Sequence, residues 1–298
     1  MYYHTPKPKG ARHLCTFSQK GDLNMAFLDY QKPASLTVVD AIMGQGKTSM
    51  AIQLMNTNKG PWLYITPYLD EVDRIIESCP KRTFQQPELD PKTHLYKKSD
   101  HLLQLLAEGR NIASTHALFM NINEDALEMV RSNGYSLIID EVIETVQPLN
   151  IEASEREPLF TKQQLKLADE PADREGNVFK VLPGDDSELD DLKLSVNGKI
   201  CNVSTLRAWA EAGRLVLSNG TILLWTLPAE CFTSFRDVYN LTYMFRGSYC
   251  EAYYNMCGLQ FAFKSVAKGA DGRYRLVDYD LANEIPLRKQ MLSLINLY

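Results

Sequence analysis

The sequence contains no apolar run approaching the ~18 residues that a membrane-spanning helix needs. Its most apolar stretch, Thr221–Leu227, is short and is closed by Pro228. The opening residues, MYYHTPKPKGARHLC, lack the apolar core of a secretory signal. A cytoplasmic location with no membrane association is therefore expected. Cysteine is sparse: six in 298 residues, at Cys15, Cys79, Cys201, Cys231, Cys250 and Cys257, with no CxxC pair. Zinc sites usually show paired, closely spaced ligands, so these read as free thiols acting as small hydrophobes. The five histidines form no HExxH or similar cluster. Positive charge is not in excess either, with 32 Lys and Arg against 37 Asp and Glu. A net charge of −5 excludes nucleic-acid binding by bulk charge. Any such binding must use a local basic groove. There is no internal repeat and no low-complexity segment.

What is present is the ordinary mix of a globular protein, 45% hydrophobic and 23% charged. The length suffices for one large core or two modest ones. Charge is unevenly placed. Lys7, Lys9, Arg12 and Lys20 precede the first acid, Asp22, and mark residues 1–30 as a basic extension. Asp185, Asp186, Glu188, Asp190 and Asp191 crowd one short stretch. Both read as solvated surface.

The first third alternates strand and helix patterns, which implies βαβ units and an α/β fold with a mainly parallel sheet. Strands are expected at Ser35–Asp40, Trp62–Thr66, Asn111–Thr115 and Tyr135–Asp140. Helices are expected at Thr48–Met55, Tyr68–Ser78, Asp100–Glu108 and Glu124–Ser132. Tyr135–Asp140 is a continuous apolar run ending in an acid, as in strands buried on both faces. The middle differs. Asn197-Gly198 and Asn219-Gly220 each separate two β-rich runs, the strongest short hairpin signal. A helix at Thr205–Ala212 lies between them. Residues 151–228 thus read as a hairpin-rich insertion between a core at 31–150 and a returning segment at 229–298. In that segment Glu230–Phe235 is a short helix, Val238–Phe245 a strand that rejoins the central sheet, and Pro286–Tyr298 a helix.

The most informative stretch is SLTVVDAIMGQGKTSMAIQ, around residues 41–49. It fits the P-loop template GxxxxGK[ST] except that Ala41 replaces the first glycine. Gly44 and Gly46 let the backbone bend so that N–H groups turn inward around a phosphate. The amides of Gly44, Gln45, Gly46, Lys47, Thr48 and Ser49 would cradle it, with the following helix pointing its positive end at the nucleotide. Lys47 supplies a cation for the β- and γ-phosphates, and Thr48 a hydroxyl for Mg²⁺. Asp140 ends an apolar strand at the edge where ligands of open α/β sheets bind. It is the candidate second ligand of Mg²⁺, and Glu141 the candidate base for an attacking water.

These residues resemble the first motor domain of superfamily 2 helicases of the DEAD/DEAH-box type, especially phage-type helicase-like ATPases. Motif I there commonly reads AxxGxGK[ST], and Ala41–Thr48 is AIMGQGKT. Motif II reads DExx, here Asp140-Glu141-Val142-Ile143. The resemblance implies a RecA-like core that binds ATP and Mg²⁺ and acts on nucleic acid, single-stranded DNA first, in phage or mobile-element replication. It makes Ile65–Arg74 a counterpart of motif Ia, so that Thr66, Pro67 and Tyr68 face nucleic acid, with Thr115 and His116 from the next strand end. It places Thr242 where ATP state is coupled to the strand-binding groove. It covers residues 30–145 well, 236–246 loosely and the insertion not at all. The arginine-rich motif VI of a second lobe is absent. Arg246 is a local substitute, and the alternative is an arginine from a second subunit. Two other classes compete. A terminase-type packaging ATPase would use the acidic stretch in a nuclease site. A non-motor ATP switch would present the insertion to a protein.

Overall fold

The computed structural model describes residues 35–89, 97–172, 176–186, 188 and 190–293. The basic extension at 1–30 and residues 294–298 of the expected last helix lie outside these.

β1 (Ser35–Asp40) leads through a tight loop into α1 (Lys47–Thr57). β2 (Trp62–Thr66), α2 (Leu69–Ser78), α3 (Lys98–Ala107), β3 (Ile112–Thr115), α4 (His116–Phe119), α5 (Glu124–Asn133) and β4 (Ser136–Asp140) follow. The helix boundaries have local causes. Asn123 caps α5, its side chain accepting from the Ala126 N–H at 3.0 Å, and Gly134 ends it with φ of 66°. The middle of the chain forms β5 (Val146–Pro148), α6 (Ala153–Thr161), β6 (Leu165–Pro171), β7 (Val178–Pro183), β8 (Lys193–Val196), β9 (Lys199–Asn202), α7 (Val203–Glu211), β10 (Leu215–Ser218) and β11 (Ile222–Thr226). The last part comprises α8 (Glu230–Thr233), β12 (Asp237–Thr242), α9 (Tyr249–Met256), β13 (Phe261–Lys268), β14 (Tyr274–Asp278) and α10 (Leu281–Ser293).

The central sheet has seven strands in the order β14-β13-β1-β12-β4-β2-β3. All neighbours are parallel except β14, which returns antiparallel along β13. The strand expected to rejoin the sheet does so as β12, between β1 and β4. Register puts Asp40 opposite Thr242, Leu241 opposite Asp140 and Thr66 opposite Thr115. The carboxyl ends of five strands therefore present polar residues along one edge. From β1 the chain crosses to β2 on one side, and from β12 it crosses to β13 on the other. The loop after β1 thus sits near a topological switch point, where open α/β sheets form a crevice.

Both Asn-Gly hairpins form, β8–β9 in a two-stranded sheet and β10–β11 within a larger one. The larger one has five antiparallel strands, β5-β11-β10-β7-β6. One buried apolar cluster runs from Leu137 and Val238 of the central sheet to Leu206 and Leu217 of the middle segment. Arg214 makes the polar link. It is buried, donates to the carbonyls of Met120 and Ile122 after α4, and lies 5.6 Å from the centre of the Trp225 ring. The last helix starts earlier than expected, at Leu281, because Asp280 accepts from the Ala282 N–H at 2.9 Å and opens it five residues before Pro286.

Replacing Arg214 with alanine leaves the half-buried Met120 carbonyl and the buried Ile122 carbonyl without this donor. Urea unfolding of Arg214→Ala is expected to show a loss of about 2–4 kcal/mol relative to the parent chain. A change within ~0.5 kcal/mol would show that the two parts do not depend on this link.

Candidate functional site

The loop between β1 and α1 has the geometry of an anion cradle. Gly44 and Gly46 adopt φ of 79° and 98°, values that favour glycine. Gly46 caps α1 without a side-chain hydrogen bond, and the first turn of α1 carries no acid. Among the described residues, no group accepts from the N–H groups of Gly44, Gly46, Lys47 or Thr48. These unpaired donors stand at the positive end of a three-turn helix, an arrangement suited to an anion. A Cβ on Gly44 would meet nothing within 4 Å, so the loop leaves room there.

Lys47 is buried and donates to the carbonyls of Ala41 at 2.6 Å and Ile42 at 3.4 Å. Burial lowers its pKa, while Glu141, Asp140, Asp40 and Glu284 pull it back up. Gln45 turns inward, accepting from the Ile42 N–H at 3.2 Å and donating to the Val266 carbonyl at 3.3 Å. Ser49 is exposed on the first turn of α1.

The two candidate magnesium ligands, Thr48 and Asp140, lie side by side. Thr48 Oγ1 lies 3.4 Å from Asp140 Oδ2. The same oxygen accepts from the hydroxyl of Tyr64, a buried residue of β2. Burial and the Asp140 charge push the Tyr64 pKa well above its ordinary value, which keeps the phenol a donor. Glu141 is exposed, with φ of 66°, and its N–H donates to the Leu241 carbonyl at 3.0 Å. A side chain in this left-handed region costs roughly 1–2 kcal/mol, so the turn holds the carboxylate out at the edge under strain.

Two further polar residues complete the edge. The Asp40 carboxylate accepts from the N–H groups of Met244 at 3.0 Å and Phe245 at 2.8 Å, latching the end of β1 to the loop after β12. Burial raises its pKa, against the pull of those two donors. Thr242 is buried, and among the described residues its Oγ1 has no partner. It stands at the end of β12, opposite Asp40 and beside the Asp140 strand.

The five residues expected to face nucleic acid divide by exposure. Pro67 and Tyr68 are exposed, Thr115 is half-buried, and Thr66 and His116 are buried. His116 lies against the backbone of Asp140 and Ile65, and among the described residues its buried Nε2 has no partner. α2 opens with Asp70 and Glu71, which already compensate its N-terminal charge. Arg246 is held locally, 2.5 Å from Glu251 Oε1 and 4.6 Å from the centre of the Phe263 ring.

The acidic stretch is tied down by cations. Lys166 pairs with Asp185 at 2.9 Å and Arg207 with Asp190 at 3.1 Å. Among the described residues there is no group of three or more His, Cys, Asp or Glu arranged to hold a metal. A cavity of about 720 Å³ opens nearby, lined by Arg156, Phe160, Lys166 and Leu217. Its cations are engaged, Arg156 with the Thr221 carbonyl and Lys166 with Asp185.

Sequence reasoning missed Tyr64, Asp40 and Glu284. Asp40 carried a signal, being an acid at the end of an apolar strand like Asp140. Tyr64 carried none, because its role depends on β2 pairing beside β4. Among the described residues, no helix is long and apolar enough to cross a membrane.

No family model matches the chain. It is 36% identical over 246 residues to an SPbeta prophage-derived uncharacterized protein, YonV, of Bacillus subtilis (strain 168). The match covers 81% of this chain and 56% of that relative, so the chain spans little more than half of the relative's length.

Burial pushes the His116 pKa down to about 4 from an ordinary 6.5. Between these values the unfolded chain binds a proton that the folded chain refuses. Stability should therefore fall as pH drops through this window, by about 3 kcal/mol from this residue. Urea unfolding at pH 7 and pH 4.5 should show a smaller acid-side loss in His116→Gln than in the parent. Equal losses would show that His116 is not held neutral.

Proposed function

We propose that this chain binds ATP with Mg²⁺ and hydrolyses it as a helicase-like motor on nucleic acid, in phage or mobile-element DNA replication. One observation carries the reading. Unpaired amides at the start of α1 stand where Thr48 reaches within 3.4 Å of Asp140. The residues present fit the groups required. Gly44 faces open space, the helix start carries no acid, and Thr48 and Asp140 offer two oxygen donors side by side.

In this reading the amides of Gly44–Ser49 and the Lys47 ammonium hold the triphosphate. Thr48 and Asp140 hold the magnesium, which supplies charge neutralisation at the phosphate oxygens when bound. Tyr64 fixes the Asp140 carboxylate by hydrogen bonding to one of its oxygens. Glu141 orients a water and takes its proton. Thr242, with its unpaired buried hydroxyl, links the site to the neighbouring strand ends. The exposed Tyr68 is the stacking surface for a base of single-stranded DNA. Because Arg246 is engaged with Glu251 and Phe263, the transition-state cation is assigned to a second subunit.

The prophage origin of the relative agrees with a phage setting. In the acidic stretch at 185–191, Asp185 is paired with Lys166 and Asp190 with Arg207, which does not favour the nuclease site of the packaging-ATPase reading.

The test is ATP binding and turnover with and without single-stranded DNA. Lys47→Ala should abolish hydrolysis. Glu141→Gln should keep ATP binding and lose about 10²–10⁴ in turnover. Glu141→Gly should lose the same turnover with no fall in melting temperature, since glycine accepts the backbone at this position. Single-stranded DNA should stimulate turnover, and the stimulation should fade with salt. Unchanged turnover in any of these variants would overturn the mechanism. Hydrolysis indifferent to nucleic acid would favour a non-motor switch.

A further inference from the structure

The antiparallel arm β13–β14 lies against the first turns of α1. A Cβ on Gly46 would fall 2.0 Å from Cε1 of Tyr274, 2.5 Å from Cδ1 and 2.7 Å from Cζ. The ring of Tyr274 therefore packs directly on the Gly46 backbone, and no other residue could occupy position 46 without moving it. The arm is fixed there by the Gln53 side chain, which bonds the Tyr274 backbone twice. The Tyr274 N–H donates to Gln53 Oε1 at 3.0 Å, and Gln53 Nε2 donates to the Tyr274 carbonyl at 3.5 Å. Gln45 of the loop adds its bond to the Val266 carbonyl of β13. Gly46, Met50 and Gln53 recur at i, i+4 and i+7, one stripe of α1. Tyr274 is thus held on the stripe that begins at the anion cradle. Its ring is half-buried, and Lys268 Nζ stands 5.5 Å from the ring centre.

The cradle distinguishes two directions. Toward β4 it is lined by Thr48, Asp140 and Glu141, groups suited to the reacting end of a phosphate chain. Toward β14 it meets an aromatic ring flanked by an ammonium. A nucleotide whose phosphates occupied the cradle with the terminal one toward Asp140 would extend its nucleoside toward the arm.

We propose that Tyr274 is the base platform of this site, the nucleobase stacking on its ring beside Lys268. This rests on the nucleotide reading above and assigns the half of the ligand that the phosphate motifs leave unassigned. Gly46 then has two reasons to be glycine, its backbone conformation and the ring against it.

The experiment compares the full chain with Tyr274→Phe and Tyr274→Ala in equilibrium binding of Mg²⁺-ATP and of inorganic tripolyphosphate. Stacking predicts that Tyr274→Ala weakens ATP binding about 10-fold or more, while tripolyphosphate affinity shifts by less than about 2-fold. Tyr274→Phe, which keeps the ring, should hold ATP within about 2-fold of the parent. ATP binding unchanged or tighter in Tyr274→Ala overturns the platform. So does an equal loss for both ligands, since the ring would then only brace the loop. A parent chain that binds tripolyphosphate and ATP equally well overturns it too, while leaving the phosphate cradle intact. A parent chain that binds neither removes the nucleotide reading and the platform together.

Discussion

The Asp140 carboxylate is the point on which the rest of the edge depends. It gathers the Thr48 hydroxyl from α1 and the Tyr64 phenol from β2 onto one oxygen, so three segments distant in sequence share one polar junction. That junction exists only because β4 lies between β12 and β2, two strands from the loop-bearing β1. The parallel register fixes it further by setting Asp40 opposite Thr242 and Asp140 one step short of them, opposite Leu241. A slip of one residue in any pairing would turn these side chains to the opposite face of the sheet. The buried apolar runs of β1, β2 and β4 prevent such slips, since each is packed on both faces.

How much of this could be read in advance depended on the range of the interactions involved. The strands at Ser35–Asp40 and Trp62–Thr66 are found as expected, because each is a bounded run with a continuous apolar pattern. The loop was legible for the same reason: Gly44, Gly46 and Lys47 act through their own backbone and charge. The Asn-Gly turns were legible because a two-residue turn is a local object. The five-stranded sheet was not. β6 and β7 pair across a register shift between Leu167 and Pro171, and β5 is three residues long. No short window in the sequence carries such a pattern.

The candidate residues divide along the same line. Lys47, Thr48, Asp140 and Glu141 are visible as motifs, whereas Tyr64, Asp40 and Tyr274 act only through contacts made by the tertiary fold. His116 shows how local context enters. It follows a strand end directly, and α4 begins there, so the imidazole is buried against the backbone of Asp140 and Ile65. A residue at a strand end can point to the ligand or to the layer below, and only the following turn decides which.

Electrostatics makes the proposed site incomplete in a specific way. Among the described residues whose charges act on Lys47, all four are carboxylates: Glu141, Asp140, Asp40 and Glu284. A triphosphate approaching such an edge meets one ammonium and a surplus of negative charge. The unpaired amides offset part of that repulsion, and a magnesium ion at Thr48 and Asp140 offsets more. Among the described residues, two arginines of the last part of the chain are already engaged and do not offer a free cation for the charge that phosphoryl transfer would develop. Arg246 is spent on Glu251 and Phe263, and Arg288 on Glu284 at 2.6 Å and the Tyr243 ring at 5.5 Å. Under the proposed nucleotide reading, an edge arranged this way would bind better than it turned over until a partner supplied that cation.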